Sequence, residues 1–576
     1  MTITRHFVDI GGRQVHYRRV GSGPPVILLH PSPQSGAFSV PMALRLAKHF
    51  TAICMDTPGY GLSDPLPPET VYPTHPDHGL DPYVEPLRRF MDALGLETAA
   101  IYGNATGAEL AHIFAYAHPE RTAVCMIDSA GDRSDAENDE LIDGYFPDVT
   151  PRRDGGHLLT HWDMVRSLSL FAPWQKSDGA HRLDIDMPSP AAIHEKMLDY
   201  LRAGPDYPRA YRPAFYTAKN RLIRRLTVPA TLTRWEGKPN LPEVDALIAK
   251  GLPENITILH AGPTMDARLA ASEQYLIERY LPGAKAAPPA PEQIDRAAPR
   301  LQKMFIDVSD KDVPGGQLLA HVCLAGHGTP ILGLHDPAGS SRRLTAFLNG
   351  YVGKRPVIAL DLPNSGESDK LLVPAEITIE AYAQHVAAAL DALQIPAVDA
   401  IGRYSGGQVA MELARLRPGA VKHIVHAGIM LFNDAERTEL LANYTPSIAP
   451  RWDGGHLVTA WAALRDMSLF WPWYNRTRSG VMRRDPAIDA VSLDARVQDL
   501  LKIGDTYRNA YAASFTYPMA ERLKACDVPT LAVEFAGTGA HARLAFAKAA
   551  APQIRTADLP EDARAWPALF GELFAS

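Results

Sequence analysis

The most constraining feature of this chain is that it contains itself twice. Residues 151–174 read PRRDGGHLLTHWDMVRSLSLFAPW and residues 450–473 read PRWDGGHLVTAWAALRDMSLFWPW, and the two align without a gap. GSGPPVILLH at 21–30 answers GHGTPILGLH at 326–335. DTPGYGLSD from Asp56 answers DLPNSGESD from Asp361 at the same offset of 305 residues (30 to 335, 56 to 361). GNATG at 103–107 answers GRYSG at 402–406 at a shorter offset of 299 (103 to 402), which places an insertion in the first copy around Tyr72 to Gly79. Both copies later carry a GxxY turn, Gly204 to Tyr207 and Gly504 to Tyr507. A period this long is a duplicated domain, because stacked solenoid repeats run to about 20–50 residues. The Ala/Pro-rich stretch 283–300 reads as an extended, fairly stiff linker between a domain of residues 1–282 and one of 301–576.

Each copy reads as an α/β unit. Met1 to Arg19 has the look of a strand pair. Val26 to Leu29 and Val357 to Leu360 are short apolar runs between turn signals, as expected of buried parallel strands. Pro82 to Leu94 and Ala381 to Leu393 have helical spacing. Ala99 to Tyr102, a glycine-flanked turn and Glu109 to Ala117 read strand, tight turn, helix; Val398 to Ile401 and Gln408 to Leu416 repeat that order. Strand, tight turn and helix is the shape of a nucleophile elbow.

Composition narrows the partners. A net charge of −7 with no Lys/Arg cluster argues against nucleic acid and anionic membrane. No apolar run reaches the ~18 residues of a membrane span, and Met1 to Arg19 has no signal-peptide core. Four scattered cysteines (Cys54, Cys125, Cys323, Cys526) without a CxxC read as reduced thiols of a cytoplasmic protein with no zinc site.

Three motifs carry a resemblance: strand-His (Leu29-His30-Pro31, Leu334-His335-Asp336), D-x-P-x-x-G-x-S-D, and the elbow glycines. Through them the chain resembles the α/β-hydrolase superfamily over nearly all of both copies. The closest likeness is to the capped branch of epoxide hydrolases, haloalkane dehalogenases, carbon–carbon bond hydrolases and hydroxynitrile lyases. The resemblance implies two tandem α/β-hydrolase-fold domains, each a mostly parallel doubly wound sheet, with helical caps at about 131–226 and 431–523. It implies that His30 and His335 shape an oxyanion-hole loop and that Asp56 and Asp361 fix the turn after their strand. It also implies a nucleophile at the elbow apex, and there this chain departs from the pattern. The apex is Ala105 in the first copy and Tyr404 in the second, with Ser405 one residue beyond. The loops expected to hold the catalytic histidine, 261–268 and 557–564, contain none. Glu236 and Glu534 lie on strands rather than in the loop where the family acid is expected, and Asp128 occupies an alternative acid position that is Ala427 in the second copy. Losing a triad serine or histidine costs about 10⁶ in turnover, so a serine-esterase mechanism is not expected in either copy.

Other residues are candidates for the chemistry. His157 and His456 open a cap helix after Asp154-Gly-Gly and Asp453-Gly-Gly, and a roof histidine can move a proton near neutral pH. Asp154 and Asp453 are candidates to orient the imidazoles; the same Asp-Gly-Gly also makes a good helix N-cap. Trp162 and Trp461 follow the histidines by five residues and Arg166 and Arg465 follow by four more, so all share about one helix face. The arginines suit a carboxylate or oxyanion, against the alternative of surface ion pairs. Ser35 and Ser340 fall at matching places after the strand-His motif and are candidates to line a pocket. Tyr404 is a candidate acid.

The leading expectation is a cofactor-free enzyme on an α/β-hydrolase scaffold, acting on a small organic molecule by acid–base chemistry (lyase, isomerase, dehydratase or water attack), with no metal. Two alternatives stand beside it: a hydrolase with a relocated nucleophile at Ser405 or Ser35, and a non-catalytic small-molecule-binding or scaffold protein. The copies are expected to form a pseudo-dimer within one chain, with further self-association left open.

Overall fold

A computed structural model describes every residue except 1, 72–78, 129, 132, 217–221, 238–240, 311–312, 537, 539–540 and 576. The insertion placed at 72–79 therefore lies almost wholly outside the described residues. The chain divides into two compact units, Met1–Thr150 with His157–Gln293, and Pro151–Gly156 with Ile294–Ser576. The proline-rich stretch is tied down rather than free. Ala287 N–H donates to the Gly23 carbonyl at 2.8 Å and Phe7 N–H to the Gln293 side chain at 3.2 Å.

The first unit holds strands β1 (Thr4–Asp9), β2 (Gln14–Val20), β3 (Pro25–Leu29), β4 (Thr51–Met55), β5 (Ala99–Asn104), β6 (Thr122–Asp128), β7 (Ala230–Trp235) and β8 (Ile256–Ala261). The second holds β9 (Gln302–Asp310), β10 (Val313–Cys323), β11 (Ile331–Leu334), β12 (Val357–Leu360), β13 (Val398–Arg403), β14 (Val421–Ala427), β15 (Thr530–Glu534) and β16 (Arg555–Asp558). The first sheet runs β1-β2-β4-β3-β5-β6-β7-β8 and the second β9-β10-β12-β11-β13-β14-β15-β16, the same topology twice. In each, the second strand is antiparallel to both neighbours and the other six run parallel. Central strands are wholly buried and apolar apart from Thr51 at the start of β4, because helices cover both faces of a parallel sheet. The segments between β6 and β7 and between β14 and β15 are largely helical, including Gly156–Ser167 and Pro190–Ala203 in the first unit. Asp434–Asn443, Gly455–Asp466, Ala490–Ile503 and Tyr507–Thr516 lie in the second.

Asp56 and Asp361 knot each sheet to its loops. Asp56 accepts the N–H groups of Gly36 (2.7 Å) and Leu62 (2.8 Å) and meets His16 Nδ1 at 2.8 Å. Asp361 accepts those of Ser341 (2.6 Å) and Glu367 (2.7 Å). Burial disfavours the charge of Asp56, yet His16, Arg18 and His30 around it hold its carboxyl far below the usual range.

Two buried histidines weaken the fold on the acid side. Burial pushes His16 down to about 4, against the attraction of Asp56. Burial alone pushes His426 on β14 down to about 3, and neither of its ring nitrogens has a hydrogen-bond partner among the described residues. Both folded values lie below the unfolded value of about 6.5, so the unfolded chain binds more protons below that pH. This part of the stability is complete above about pH 6.5 and is lost progressively towards pH 4. His426→Leu is expected to flatten the slope of urea-unfolding stability against pH in that window by up to ~1.4 kcal/mol per pH unit. Above neutrality it should change stability by less than about 1–2 kcal/mol, because it also removes two unsatisfied polar atoms. An unaltered slope would show that His426 is not held neutral in the fold.

Candidate active site

The elbows are present in both units. Ala105 follows β5 with φ 49° and ψ −118°, and Tyr404 follows β13 with φ 50° and ψ −112°. These are two of the four non-glycine residues with positive φ among the described residues. Helices Thr106–Ala117 and Ser405–Leu416 begin at the next residue. The turn needs glycine two positions on, because a Cβ at Gly107 would stand 2.3 Å from the Leu29 carbonyl and one at Gly406 2.3 Å from that of Leu334. Gly428, after β14, makes room for the apex ring: a Cβ there would meet the Tyr404 ring at 2.5 Å.

Tyr404 opens into a cavity of about 360 Å³ at the carboxyl end of the second sheet, a size suited to a small organic ligand. Apolar walls come from Ala338, Ile429, Met430, Leu464, Met467, Trp471 and Met482. The polar lining is dense: Arg343, Arg403, Arg484, Arg496 and Arg543 against Asp336, Asp485, Glu534 and Glu561. Arg343 is spent on Asp336 (2.9 Å), and Arg543 approaches Glu436 at 3.3 Å. Arg496 donates to Ser468 Oγ at 2.9 Å and to the Ala487 and Leu464 carbonyls at 3.4 Å. Among the described residues no carboxylate pairs with Arg403 or Arg496, and the buried Nε of Arg496 has no partner. Burial, with Arg343 and Arg403 nearby, pushes Arg496 down to about 10. Asp336 stays ionised despite burial: Arg343 and Arg403 hold it at about 2.

Glu534 ends β15. Its Oε1 accepts the Phe535 N–H at 2.8 Å, and its buried Oε2 has no hydrogen-bond partner among the described residues. Burial raises its pKa above the usual carboxylate value. Burial, with Glu534 adding to it, pushes Tyr404 up to about 12, so the phenol stays protonated at neutral pH. The site thus combines a fixed O–H donor, a carboxyl able to change protonation state and unpaired cations, the grouping from which acid–base chemistry on an anion is built.

Of the residues proposed from the second copy for catalysis or binding, Tyr404 alone lines this cavity, joined by Glu534, which the sequence reading named only as an acid standing on its strand. His456 is fully buried at the start of Gly455–Asp466, and its Nδ1 accepts the Arg451 N–H at 3.1 Å. That helix reaches the cavity at its other end, through Leu464. At 1.5 Å per residue His456 lies about 12 Å back along the axis, so it is not the roof histidine that the motif suggested. Asp453 is exposed and accepts the Gly455 N–H at 2.9 Å, with Arg451 at 2.6 Å; Asp154 does the same with Gly156 at 2.9 Å. These carboxylates serve the turn. Arg465 pairs with Asp466 at 3.2 Å and Arg166 with Asp163 at 3.0 Å, the local ion-pair alternative. His157, Trp162 and Trp461 are buried. Ser340 stands beside Asp499, and Ser35 Oγ donates to Asp199 at 3.2 Å. Ser405 is buried, outside the cavity, and its Oγ has no partner among the described residues.

His30 and His335 are committed to structure. Each ring sets Nδ1 against the carbonyl of the next residue (3.0 and 2.7 Å), while Nε2 accepts the N–H of Thr57 or Leu362 at 3.0 Å. In the first unit, Asp128 is closed off. Arg268 Nε donates to it at 2.7 Å, Tyr102 hydrogen-bonds the same carboxylate, and the guanidinium lies 4.9 Å from the Trp235 ring centroid. The arginine thus stands in the first turn of helix Met265–Arg279, at the end of the stretch 261–268 where the family pattern calls for a histidine. A cavity of about 240 Å³ in this unit lies by Ile10, Pro58 and Leu66, away from Ala105. Sequence reading missed the arginines of the second cavity; the available signal was Arg403, a charge at the end of a buried strand. It also missed His541, after β15, and Asp558, the last residue of β16, an exposed pair at 2.7 Å.

Two parallel-rich sheets with this strand order and a strained elbow define an α/β-hydrolase scaffold. A sequence model of the alpha/beta hydrolase fold family matches residues 24–240 and 346–456, more than half of the chain, and the chain belongs to that family. It is similar to a fluoroacetate dehalogenase of a Burkholderia species, 32% identical over 116 residues, 20% of this chain and 37% of that protein. A proline iminopeptidase of Heyndrickxia coagulans is 33% identical over 119 residues, 20% of this chain and 39% of that protein. Both matches span well under half of the relative's own length. Among solved structures, an esterase from Thermogutta terrifontis covers 48% of this chain and 96% of its own at 19% identity and a TM-score of 0.36. An enol-lactonase from Burkholderia xenovorans covers 46% and 98% at 18% identity and 0.36. Among the described residues no helix is long and apolar enough to cross a membrane, and no group of three or more His, Cys, Asp or Glu is placed to hold a metal.

With Ser405 buried and Ser35 turned to Asp199, incubation with a fluorophosphonate is expected to leave the intact mass of the protein unaltered. A stoichiometric adduct on either serine would establish the relocated-nucleophile alternative.

Proposed function

We propose that the second unit is the working one, and that it binds a small carboxylate-bearing organic molecule and performs acid–base chemistry on it without a covalent intermediate. The observation that carries this reading is a pair of buried polar atoms without hydrogen-bond partners among the described residues, Glu534 Oε2 and Arg496 Nε, lining one cavity with Tyr404 and Arg403. Buried polar atoms left without partners in a cavity are groups awaiting a ligand. The substrate carboxylate is assigned to Arg403 and Arg496. Glu534, ionised, takes a proton from the carbon next to it; the electron pair forms a double bond as a neighbouring C–O bond breaks. Tyr404 gives its proton to the departing oxygen, and the proton on Glu534 later returns to Tyr404. The balance is loss of water from a hydroxy acid, and its reverse is hydration.

The relative named a fluoroacetate dehalogenase acts, by its name, on a small carboxylate, which is consistent with this substrate class. Pro337, in the loop after β11, brings no N–H to the cavity, which weakens an oxyanion hole for acyl transfer. The first unit, with Ala105 at its apex and Asp128 closed by Arg268, is assigned a supporting role without turnover.

The test combines binding and turnover on a panel of short hydroxy acids and their unsaturated products, read by NMR. Arg496→Met and Arg403→Met are expected to weaken carboxylate binding about 30- to 5000-fold, the range for removing one partner of a desolvated charged pair. Tyr404→Phe and Glu534→Gln should retain binding and lose about 10²- to 10⁴-fold in turnover. Activity in the elimination direction should rise with pH through a Glu534 pKa held above the usual carboxylate value. Binding indifferent to both arginines would overturn the reading; binding without turnover would leave the ligand-binding alternative.

A further inference from the structure

The cap of the second unit contains another cavity, of about 370 Å³, separate from the one at Tyr404. It lies between helices Asp434–Asn443 and Tyr507–Thr516. Its exposed surface is mostly polar, from Thr445, Asp505, Arg508 and Asn509, with Leu440, Leu441 and Phe515 on a smaller apolar side. One residue lines both cavities, Tyr511. Its ring is buried and braced by neighbouring aromatics, with centroids 5.2 Å from Tyr444, 6.0 Å from Tyr507 and 5.6 Å from Phe515. Asp336, Arg343 and Tyr404 of the inner cavity act on its hydroxyl, which burial keeps protonated. Tyr511 is therefore a partition, polar on the side of the anion site and backed by Leu440, Leu441 and Phe515 on the other.

We propose that Tyr511 sets the length limit of the ligand, and that the outer cavity is the latent subsite for an apolar tail on the same carboxylate. This rests on the reading of the inner cavity as an anion site. An anion held at Arg403 and Arg496 directs its tail into the remaining inner space, and Tyr511 closes the way to the outer one. Rotamers of a large ring braced on three sides are few, so the limit should be sharp. The first unit carries the same tyrosine pair in sealed form: Tyr211 and Tyr145 share a hydroxyl–hydroxyl hydrogen bond of 2.7 Å within a packed aromatic cluster.

The experiment is calorimetric titration of the full-length protein with butanoate, hexanoate, octanoate and decanoate. The wild type is expected to lose at least ~10-fold in affinity between the shorter and the longer acids, although each buried CH₂ would otherwise strengthen binding about fourfold. Tyr511→Ala should abolish that loss, with octanoate and decanoate at least ~10-fold tighter than in the wild type. Adding Leu441→Asp to it should remove the gain, and Tyr511→Phe, which keeps the ring, should keep the wild-type profile. A wild type that binds all four acids with a smooth increase in affinity would overturn the partition while leaving the anion site intact. A wild type that binds none of them, with Arg496→Met no different, would sink the anion site and the partition with it. If Tyr511→Ala is misfolded by circular dichroism, Tyr511→Leu carries the same test with less lost volume.

Discussion

The approach of helix to strand at the two elbows is the constraint on which the rest depends. Gly107 and Gly406 bring their helix N-termini so near the Leu29 and Leu334 carbonyls that no side chain fits between. The residue ahead of each is driven to positive φ, a conformation costing about 1–3 kcal/mol for a residue with a Cβ. Buried sheet on one side and buried helix on the other hold it there. Whatever side chain stands at the apex is presented at the carboxyl edge of the sheet. The geometry is thus indifferent to chemistry, which is how one scaffold carries alanine in one unit and tyrosine in the other with φ and ψ nearly the same.

Electrostatics then separates the units. In the first, the carboxylates at the matching places are paired: Asp128 with Arg268 and Tyr102, and Asp199 with Arg202 (3.2 Å) and Ser35. In the second, Ala427 replaces the acid of Asp128, and among the described residues no carboxylate forms an ion pair with Arg403 or Arg496, which feel the charge of Asp336 only at longer range. A buried guanidinium with an unpaired nitrogen is unfavourable in the empty site and favourable once an anion supplies the missing acceptors. Desolvation is what makes such a site selective. The same burial that depresses Arg496 and raises Glu534 strengthens their grip on a ligand that excludes water.

The duplicated architecture was legible because it rests on backbone requirements written in residue types. Glycines at fixed offsets, apolar runs of strand length and the Asp-x-Pro turn led directly to the elbows, and the family resemblance they carry implied the mostly parallel sheets and the loop roles of His30, His335, Asp56 and Asp361. The site was legible only at Tyr404 and, as an acid out of its expected loop, at Glu534. Similarity between the copies drew attention to Asp-Gly-Gly-His, yet that agreement reflects a helix start: Asp453 caps Gly455, and His456 accepts a backbone N–H. The cavity arginines come from strand ends, a loop and helices far apart in sequence, and no local pattern links Arg403 to Arg496. Which end of a cap helix reaches the site depends on its packing angle, and periodicity does not encode that.

The side chain at Tyr404 also narrows the chemistry the second unit can perform. A serine at the apex keeps its oxygen near the backbone N–H groups at the start of the helix, so attack and oxyanion stabilisation occur side by side. A phenol carries its oxygen several ångströms farther out, past those donors and towards Glu534 and the arginines. The ring itself fills the space beside Gly428 that an acyl group would need. With Pro337 contributing no N–H, the donors and the reactive oxygen no longer converge on one carbonyl. Proton transfer needs no such convergence. It needs an acid and a base within reach of a held substrate, and the reading proposed for Tyr404 and Glu534 asks no more than that.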